Sequence, residues 1–196
     1  QSDVEQTLRI IQDALGYSKA NATTWLLELG EVVHQVQDDF SKIASHETPR
    51  YEKAKIKYRV IDRCFVSQYS EVQVSSLRRN GVRSFWVSEY LDRLASLSFN
   101  NYDRVTLYFT DYHKLGNIQK LNNGNYEFLV TVEQIFKGYH KELPAPYQDR
   151  TKKLFKFIFN PNSSGKWEFK IDDVLAKEPK QIRDNEINVN YSRYKW

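Results

Sequence analysis

Four segments in the second half of the chain alternate in side-chain character with a period of two residues. The pattern is clearest over residues 153–159, where Phe155, Phe157 and Phe159 are each separated by one residue. Successive side chains of a strand point to opposite faces, so this alternation predicts strands. The predicted strands are Arg104–His113, Tyr126–Lys137, Lys153–Phe159 and Trp167–Ile171. Consecutive strands of this kind predict an antiparallel sheet with one buried face and one face in water.

The first 47 residues carry the signals of helices. Ser2 and Glu5 have the spacing of a capping box, and apolar side chains follow at helical intervals. A second helix is predicted from Thr23 or Thr24 to about Ser45, because an apolar stripe runs along it. That stripe consists of Leu26, Leu29, Val33, Val36, Phe40 and Ile43.

Residues 50–65 fit both a helix and a strand. Alternation from Ala54 to Val60 fits a strand. In contrast, Thr48 followed by Pro49 supplies a capping hydroxyl and a proline suited to the first helical position. The cap and the run of Lys, Glu and Ala favour the helix.

A short hairpin is predicted next. Residues Val72–Leu77 alternate, Asn80 and Gly81 form a favoured two-residue turn, and Arg83–Val87 would return as the partner strand. Ser88 then caps a predicted helix, which extends to Leu97.

Composition excludes several classes of protein. The chain has 196 residues, of which 40% are hydrophobic and 14% aromatic, and such a chain is not a disordered tail. No segment is long and apolar enough to span a membrane. Cys64 is the only cysteine, which excludes an internal disulfide framework and a multi-cysteine zinc site. The four histidines lack metal-ligand spacing, and nucleotide and hydrolase fingerprints are absent, so no cofactor is predicted.

The chain contains no methionine and begins at Gln1. A mature protein whose signal peptide has been removed would look like this, so a secreted or periplasmic location is expected. A cytoplasmic domain of a larger protein is the alternative.

Charge is unevenly distributed along the chain. Residues 1–49 carry eight acidic and three basic side chains, whereas the whole chain has a net charge of +4. The basic residues are densest over 50–63, but Glu52 and Asp62 interrupt them, which favours a solvated helix face over a nucleic-acid site. A second basic cluster, which could bind an anion, consists of Arg78, Arg79 and Arg83. The acidic front helices could also lie against the basic remainder of the chain.

The order of these elements is helices, a hairpin, a helix and four antiparallel strands. It resembles the nuclear transport factor 2-like superfamily, also called the cystatin-like α+β cone, over residues 48–175. The segment 72–97 looks like the hairpin and third helix of that family, and Trp167–Val174 looks like its closing strand. The resemblance implies an α+β fold in which helices pack on a strongly curved antiparallel sheet with a pocket on the concave face. The family includes isomerases, dehydratases, polyketide cyclases and non-catalytic partners, so the fold alone does not decide the function.

Three regions follow from this comparison. Residues 1–47 form an N-terminal helical extension, residues 48–176 form the cone-like domain, and residues 177–196 form a tail. The tail contains three aromatic residues, Tyr191, Tyr194 and Trp196. Aromatic side chains are costly to leave in water, so these residues suggest docking to a protein partner or a second copy.

A candidate site lies at the end of the first predicted strand. Asp111 and His113 have the parity of its apolar residues, so they are expected to face the interior. If Asn123 and Gly124 form a two-residue turn, His113 lies opposite Gln134 and Asp111 lies opposite Phe136. An imidazole and a carboxylate could then transfer protons at the mouth of the pocket, although a bulge at Gly116 would shift this register. Aromatic rings that could stack a ligand are those of Trp86 and Tyr108.

Three functional hypotheses remain. The absence of a catalytic motif, the aromatic tail and the acidic extension favour a non-catalytic binding or assembly module. The first alternative is a small-molecule lyase or isomerase that uses Asp111 and His113. The second alternative is an anion or nucleic-acid binder that uses the basic clusters, and here nucleic acid is the less expected ligand.

Overall fold

The computed structural model describes residues 3–66, 82–100, 102–163 and 165–176. These ranges contain four helices and five strands. The helices are α1 (Asp3–Leu15), α2 (Lys19–Ala44), α3 (Arg50–Cys64) and α4 (Val82–Asn100). The strands are β1 (Arg104–Leu115), β2 (Gln119–Lys120), β3 (Tyr126–Tyr139), β4 (Tyr147–Ser163) and β5 (Lys166–Ala176).

The four long strands form an antiparallel meander in the order β1, β3, β4 and β5, and the short β2 pairs with β3. The helices pack against this sheet, so the predicted α+β fold is confirmed. All four predicted strands are present, and each is longer than the alternation alone indicated. We call the face whose side chains share the core with the helices the inner face.

Capping decides where α2 begins. The hydroxyl of Ser18 accepts a hydrogen bond from the backbone N–H of Asn21 at 3.1 Å, so the helix starts earlier than predicted. The expected caps Thr23 and Thr24 lie inside its first turns instead. Their hydroxyls donate to backbone carbonyls four residues back, at 2.8 and 3.2 Å.

The helical assignment of residues 50–65 is confirmed, because α3 runs from Arg50 to Cys64. The predicted return strand Arg83–Val87 is wrong, because these residues form the first turns of α4. Leu91, Leu94 and Leu97 are buried on one side of that helix, and Val87 precedes Leu91 by one turn in the sequence. This helical period outweighs an alternation only five residues long. The other predicted hairpin residues, Val72–Leu77 with Asn80 and Gly81, lie outside the described residues.

Trp25 of α2 lies at the centre of the core. Its ring is fully buried, and its centroid is 5.2 Å from those of Phe128 and Phe169 and 5.6 Å from that of Phe159. The same cluster of buried side chains includes residues from α1, α2, α3, α4 and the sheet. The core therefore contains side chains from both sides of residue 47, and the division of the chain into three regions stays a prediction.

The register between β1 and β3 differs from the prediction. The loop is closed by Leu121 and Asn125, whose N–H and carbonyl groups are 2.7 Å apart, and Gly124 occupies the left-handed region at φ +89°. The predicted two-residue turn is therefore wrong, since three residues separate the closing pair.

A bulge moves the register a second time. Phe109 pairs with Gln134 and His113 pairs with Val132, so three residues of β1 lie opposite Glu133 alone. The predicted pairs of His113 with Gln134 and of Asp111 with Phe136 are therefore wrong.

The hydroxyl of Thr110 makes two hydrogen bonds at the bulge. It accepts a hydrogen bond from the backbone N–H of Tyr112 at 3.2 Å and donates to Glu133 at 3.1 Å. These bonds supply partners where the regular ladder is interrupted.

Candidate functional site

A groove of about 310 Å³ opens between α1, α2 and the inner face of the sheet. We call it the α1–α2 groove. Its apolar lining consists of Val4, Leu26, Leu29, Val33, Leu115 and Val130. Its polar lining consists of Asp3, Thr7 and His113. A mostly apolar cleft of this size, with few polar groups, is typical of binding sites in proteins.

The position of α1 is set by packing in its middle and just after its C-terminal end. Leu8 and Ile11 are buried in the core, and Gly16 ends the helix in the left-handed region at φ +70°. Tyr17, which follows, stacks on Trp167 of β5 with the ring centroids 5.3 Å apart. These contacts hold α1 beside α2 as one wall of the groove.

Gly30 of α2 leaves the groove open. A Cβ atom placed on this residue would meet no atom within 4 Å, so no close backbone approach requires a glycine here. A glycine inside a helix costs about 1 kcal/mol relative to alanine. Gly30 lies among the groove residues, and the missing side chain therefore widens the groove.

The rim of the groove exposes apolar side chains. Val4 lines the opening and is 61% exposed. Leu27 does not line the groove, but it precedes Gly30 by about one turn on α2 and is 66% exposed. Exposed apolar side chains beside an apolar cleft are typical of interaction surfaces.

His113 lies at one end of the groove. Its Nε2 atom is 3.3 Å from Nε2 of Gln37, and its ring centroid is 5.6 Å from that of His34. Burial lowers the pKa of His113, the neighbouring His34 lowers it further, and Asp111 partly opposes the change. This lowering favours the neutral ring, to which the Gln37 amide can donate.

The structure separates the predicted polar group. His113 lies in the groove, Gln134 is buried on the inner face opposite Phe109, and Asp111 is exposed within the bulge. Tyr108 pairs with Ile135 and is 43% exposed. The His113 ring contacts Gln37 and His34.

The remaining candidate residues cannot be placed in this site. Arg83 and Trp86 fall in the first turns of α4, where the structure describes the backbone and not the side chains. The candidates that lie outside the described residues are Arg78, Arg79, Tyr191, Tyr194 and Trp196. Their proposed roles stay predictions.

Lys53, in the middle of the basic run, is buried in the protein. Its Nζ atom donates to the backbone carbonyl oxygens of Ile43 and Ser45 at 2.5 and 2.6 Å. These carbonyls belong to the C-terminal end of α2, where a helix leaves its last carbonyls without partners. Burial lowers the pKa of Lys53 to about 8. This side chain therefore caps α2 from within the core.

Other members of the basic run also have structural partners. The Arg59 guanidinium binds the buried carboxylate of Asp39 at 2.8 Å and so joins α3 to α2. Lys57 binds Asp92 of α4 at 2.6 Å. Asp39 belongs to the acidic residues 1–49, and Arg59 belongs to the basic rest of the chain. Their contact is therefore of the kind predicted between these two parts. These contacts favour a structural role for the run.

Cys64 is buried in the core, and burial is the main cause that raises the pKa of its thiol, to about 11. The thiolate is therefore not formed at neutral pH. Among the described residues, no group of three or more His, Cys, Asp or Glu side chains could hold a metal ion. Within the same ranges, no helix has both the length and the apolar character needed to cross a membrane.

Comparison with known proteins gives only remote similarities. No protein-family model and no curated protein matches the chain. The intermembrane space region of the chloroplast protein ARC6 superposes with a TM-score of 0.42 at 12% identity, over 76% of this chain and 95% of that chain. A periplasmic fragment of TraM superposes with a TM-score of 0.40 at 10% identity, over 76% of this chain and 96% of that chain. These similarities are too low to carry an argument about function, and the resemblance to the nuclear transport factor 2-like superfamily stays a prediction.

Gly30 is one of the site residues that sequence reasoning missed. A glycine between Leu29 and Val33 of a strong apolar stripe was a visible signal, because glycine is unfavourable inside a helix. Its meaning depended on α1 lying beside it, which periodicity does not show.

Proposed function

We propose that the chain is a non-catalytic binding module whose α1–α2 groove accepts an apolar side chain of a protein partner. The observation that carries this proposal is an apolar groove widened at Gly30 and continued by exposed side chains at its rim. An anchor residue that fills such a cleft contributes most of the binding energy in many protein interfaces.

The rim supports a protein partner over a small ligand. A small molecule inside the groove would leave Val4 and Leu27 in water. A polypeptide that places one side chain in the groove would also cover these two residues. Each fully buried aliphatic side chain contributes about 1.5–3 kcal/mol, so covering the partly exposed rim adds usefully to the affinity.

Charge around the groove specifies the partner further. Asp3 lines the groove and is exposed. A complementary partner therefore presents an apolar anchor with basic charge beside it, because opposite charges favour association and orient it.

Substitution of Gly30 tests the proposal. Gly30→Phe places a ring in the open space and fills the groove, whereas the matched control Gly30→Ala adds one methyl group that meets no neighbour. The probe is a displayed library of short peptides, selected against the unmodified chain. Selected peptides are expected to share an apolar anchor with basic flanks, and to lose about tenfold or more in affinity for Gly30→Phe. Affinity for Gly30→Ala is expected to stay close to that for the unmodified chain.

Two results would overturn the proposal. One is a set of selected peptides that bind Gly30→Phe as tightly as Gly30→Ala. The other is the selection of no peptide that depends on this position at all. Circular dichroism of both variants checks that each is folded.

A further inference from the structure

The last residues of the chain have the chemistry that the α1–α2 groove favours in a partner. Residues 190–196, which we call the aromatic segment, lie outside the described residues and contain no acidic side chain. Their aromatic residues are Tyr191, Tyr194 and Trp196, and their basic residues are Arg193 and Lys195. Aromatic side chains bury more apolar surface than most others, and their rings are frequent anchors in protein interfaces. The segment therefore combines an apolar anchor with basic charge beside it.

The groove and the aromatic segment carry opposite charges. Asp3 lines the groove and is exposed. Both helices that form the groove belong to residues 1–49, which contain eight acidic and three basic side chains. Arg193 and Lys195 alternate with the aromatic residues, so a ring that enters the groove brings a basic side chain to its rim. Opposite charges favour such a contact and orient it.

The last described residue, Ala176, lies in one row of the sheet with a residue of the groove. Ala176 of β5 pairs with Lys153 of β4. Lys153 pairs with Val132 of β3, and Val132 pairs with His113, which lines the groove. Neighbouring strands are about 4.8 Å apart, so these three steps place Ala176 about 14 Å from His113 across the sheet.

The connection from Ala176 to the aromatic segment is long enough to reach the groove. It consists of residues 177–189, which span at most about 43–47 Å when fully extended. This reach is about three times the distance across the sheet, so it leaves length for a path around the edge of the fold. A segment tethered in this way meets its site at an effective concentration in the millimolar range, so even a weak contact is populated.

We propose that the aromatic segment of the same chain occupies the α1–α2 groove, with one aromatic ring between the two helices, and that a partner must displace it. This inference rests on the function proposed above, because it names the occupant of the same groove in the free protein. The aromatic segment of a second copy has the same chemistry, but the tether favours the segment of the same chain.

A spin label on the aromatic segment tests where this segment lies. Ser192→Cys introduces a thiol for a nitroxide label, which broadens the NMR signals of nearby amides. Cys64 does not compete for the label, because it is buried and burial raises the pKa of its thiol to about 11. In the full chain, the label is expected to broaden the amide signals of Val33 and His113. The broadening is expected to fall to about half or less with Gly30→Phe, which fills the groove, and to persist with the matched control Gly30→Ala.

Competition with peptides measures the same contact as an affinity. The probes are the groove-binding peptides from the selection described above. A full-length variant with Tyr191→Ala, Tyr194→Ala and Trp196→Ala loses the three rings and keeps both basic residues. The peptides are expected to bind this variant about tenfold more tightly than the unmodified chain, because no anchor has to be displaced. Asn190→Ala is the control, because it changes the same segment and keeps the rings, so the affinity is expected to stay unchanged.

The results separate this inference from the function on which it rests. Peptides that depend on Gly30 but bind the variant without rings no more tightly, with the signals of Val33 and His113 unaffected by the label, would overturn the inference and leave the proposed function in place. Broadening that Gly30→Phe abolishes, without any peptide that depends on Gly30, would support the inference and contradict the proposed partner.

A mixing experiment distinguishes the same chain from a second copy. A spin-labelled chain is mixed with an isotope-labelled chain that carries no spin label. Broadening in this mixture as strong as within one chain would show that a second copy supplies the segment, and would overturn the proposal. If Gly30→Phe does not fold, the competition with the variant without rings decides the question.

Discussion

Replacing Lys53 with methionine tests how the core accommodates a buried amine. The residue is 2% exposed, and its Nζ atom donates to two carbonyls at the end of α2. Methionine is similar in length but has no N–H group and does not titrate. A neutral amine keeps two N–H groups, which is enough for the two carbonyls, so Lys53 can lose its proton without losing these partners.

The size of the effect follows from the pKa. Burial lowers the pKa of Lys53 from 10.5 to about 8, so between these pH values the unfolded chain binds more protons than the folded chain. The free energy of unfolding therefore rises with pH across this range. At about 1.4 kcal/mol per pKa unit, the rise reaches about 3 kcal/mol between pH 8 and pH 10.5. Below pH 8 this contribution is absent, because the folded protein then carries a buried ammonium group.

Urea unfolding measures the effect as a difference. The free energy of unfolding is determined for the unmodified chain and for Lys53→Met at several pH values below 8 and up to 10.5. Other titrating groups are common to both proteins and cancel in the difference. Lys55→Met serves as a control, because Lys55 is exposed on the same helix. The stability of the unmodified chain relative to Lys53→Met is expected to rise with pH, and that relative to Lys55→Met is expected to stay constant.

A difference between the unmodified chain and Lys53→Met that does not change with pH would refute this reasoning. It would mean that the ammonium form is as stable in the core as in water. The carbonyls of α2 would then compensate the full cost of burial.

Three further predictions concern other parts of the fold. Arg59→Met leaves the buried carboxylate of Asp39 without its guanidinium partner and is expected to cost about 3 kcal/mol in urea unfolding; a loss below about 1 kcal/mol would contradict the role of this pair. Burial and the neighbouring His34 lower the pKa of His113, so its ring is expected to titrate below 6.5 by NMR, and His34→Gln is expected to raise that pKa; an unchanged titration would show that the two rings do not interact. Gly30→Ala fills open space in a helix and is expected to raise the free energy of unfolding by up to about 1 kcal/mol, whereas a loss of stability would show that the space is not open.

Much of the fold could be predicted because buried apolar side chains recur along the sequence with the period of a helix or a strand. The alternation of Phe155, Phe157 and Phe159 marks the inner face of β4, and all three side chains are buried. The apolar stripe of α2 likewise marks the side that packs on the sheet. The start of α3 was predictable because the fixed φ of proline suits the beginning of a helix. The predicted cap by the Thr48 hydroxyl is wrong, since Pro49 is itself the N-cap and no side chain caps the helix. Each of these features depends on neighbours within a few residues.

Register and the site were less predictable because they depend on contacts between distant residues. The bulge in β1 contains the hydroxyl of Thr110, which bonds both to its own strand and to Glu133. Parity along one strand cannot show such a bond, so the place of Asp111 was not predictable. The pairing of His113 failed for a different reason, because the register already differs on the turn side of the bulge, where Leu115 pairs with Val130. The role of Lys53 was hidden in the same way, because a basic residue among others gave no sign that it caps α2.

Because of its bulge, β1 contains two residues more than an uninterrupted pairing with β3 requires. Three residues lie opposite Glu133, whereas an uninterrupted ladder needs one. Deletion of Asp111 would leave an ordinary two-against-one bulge, and deletion of one more residue would leave a continuous ladder. In both cases His113 could keep its place opposite Val132, at the end of the groove. Relatives of this chain can therefore differ by one or two residues at this point and still present the same groove.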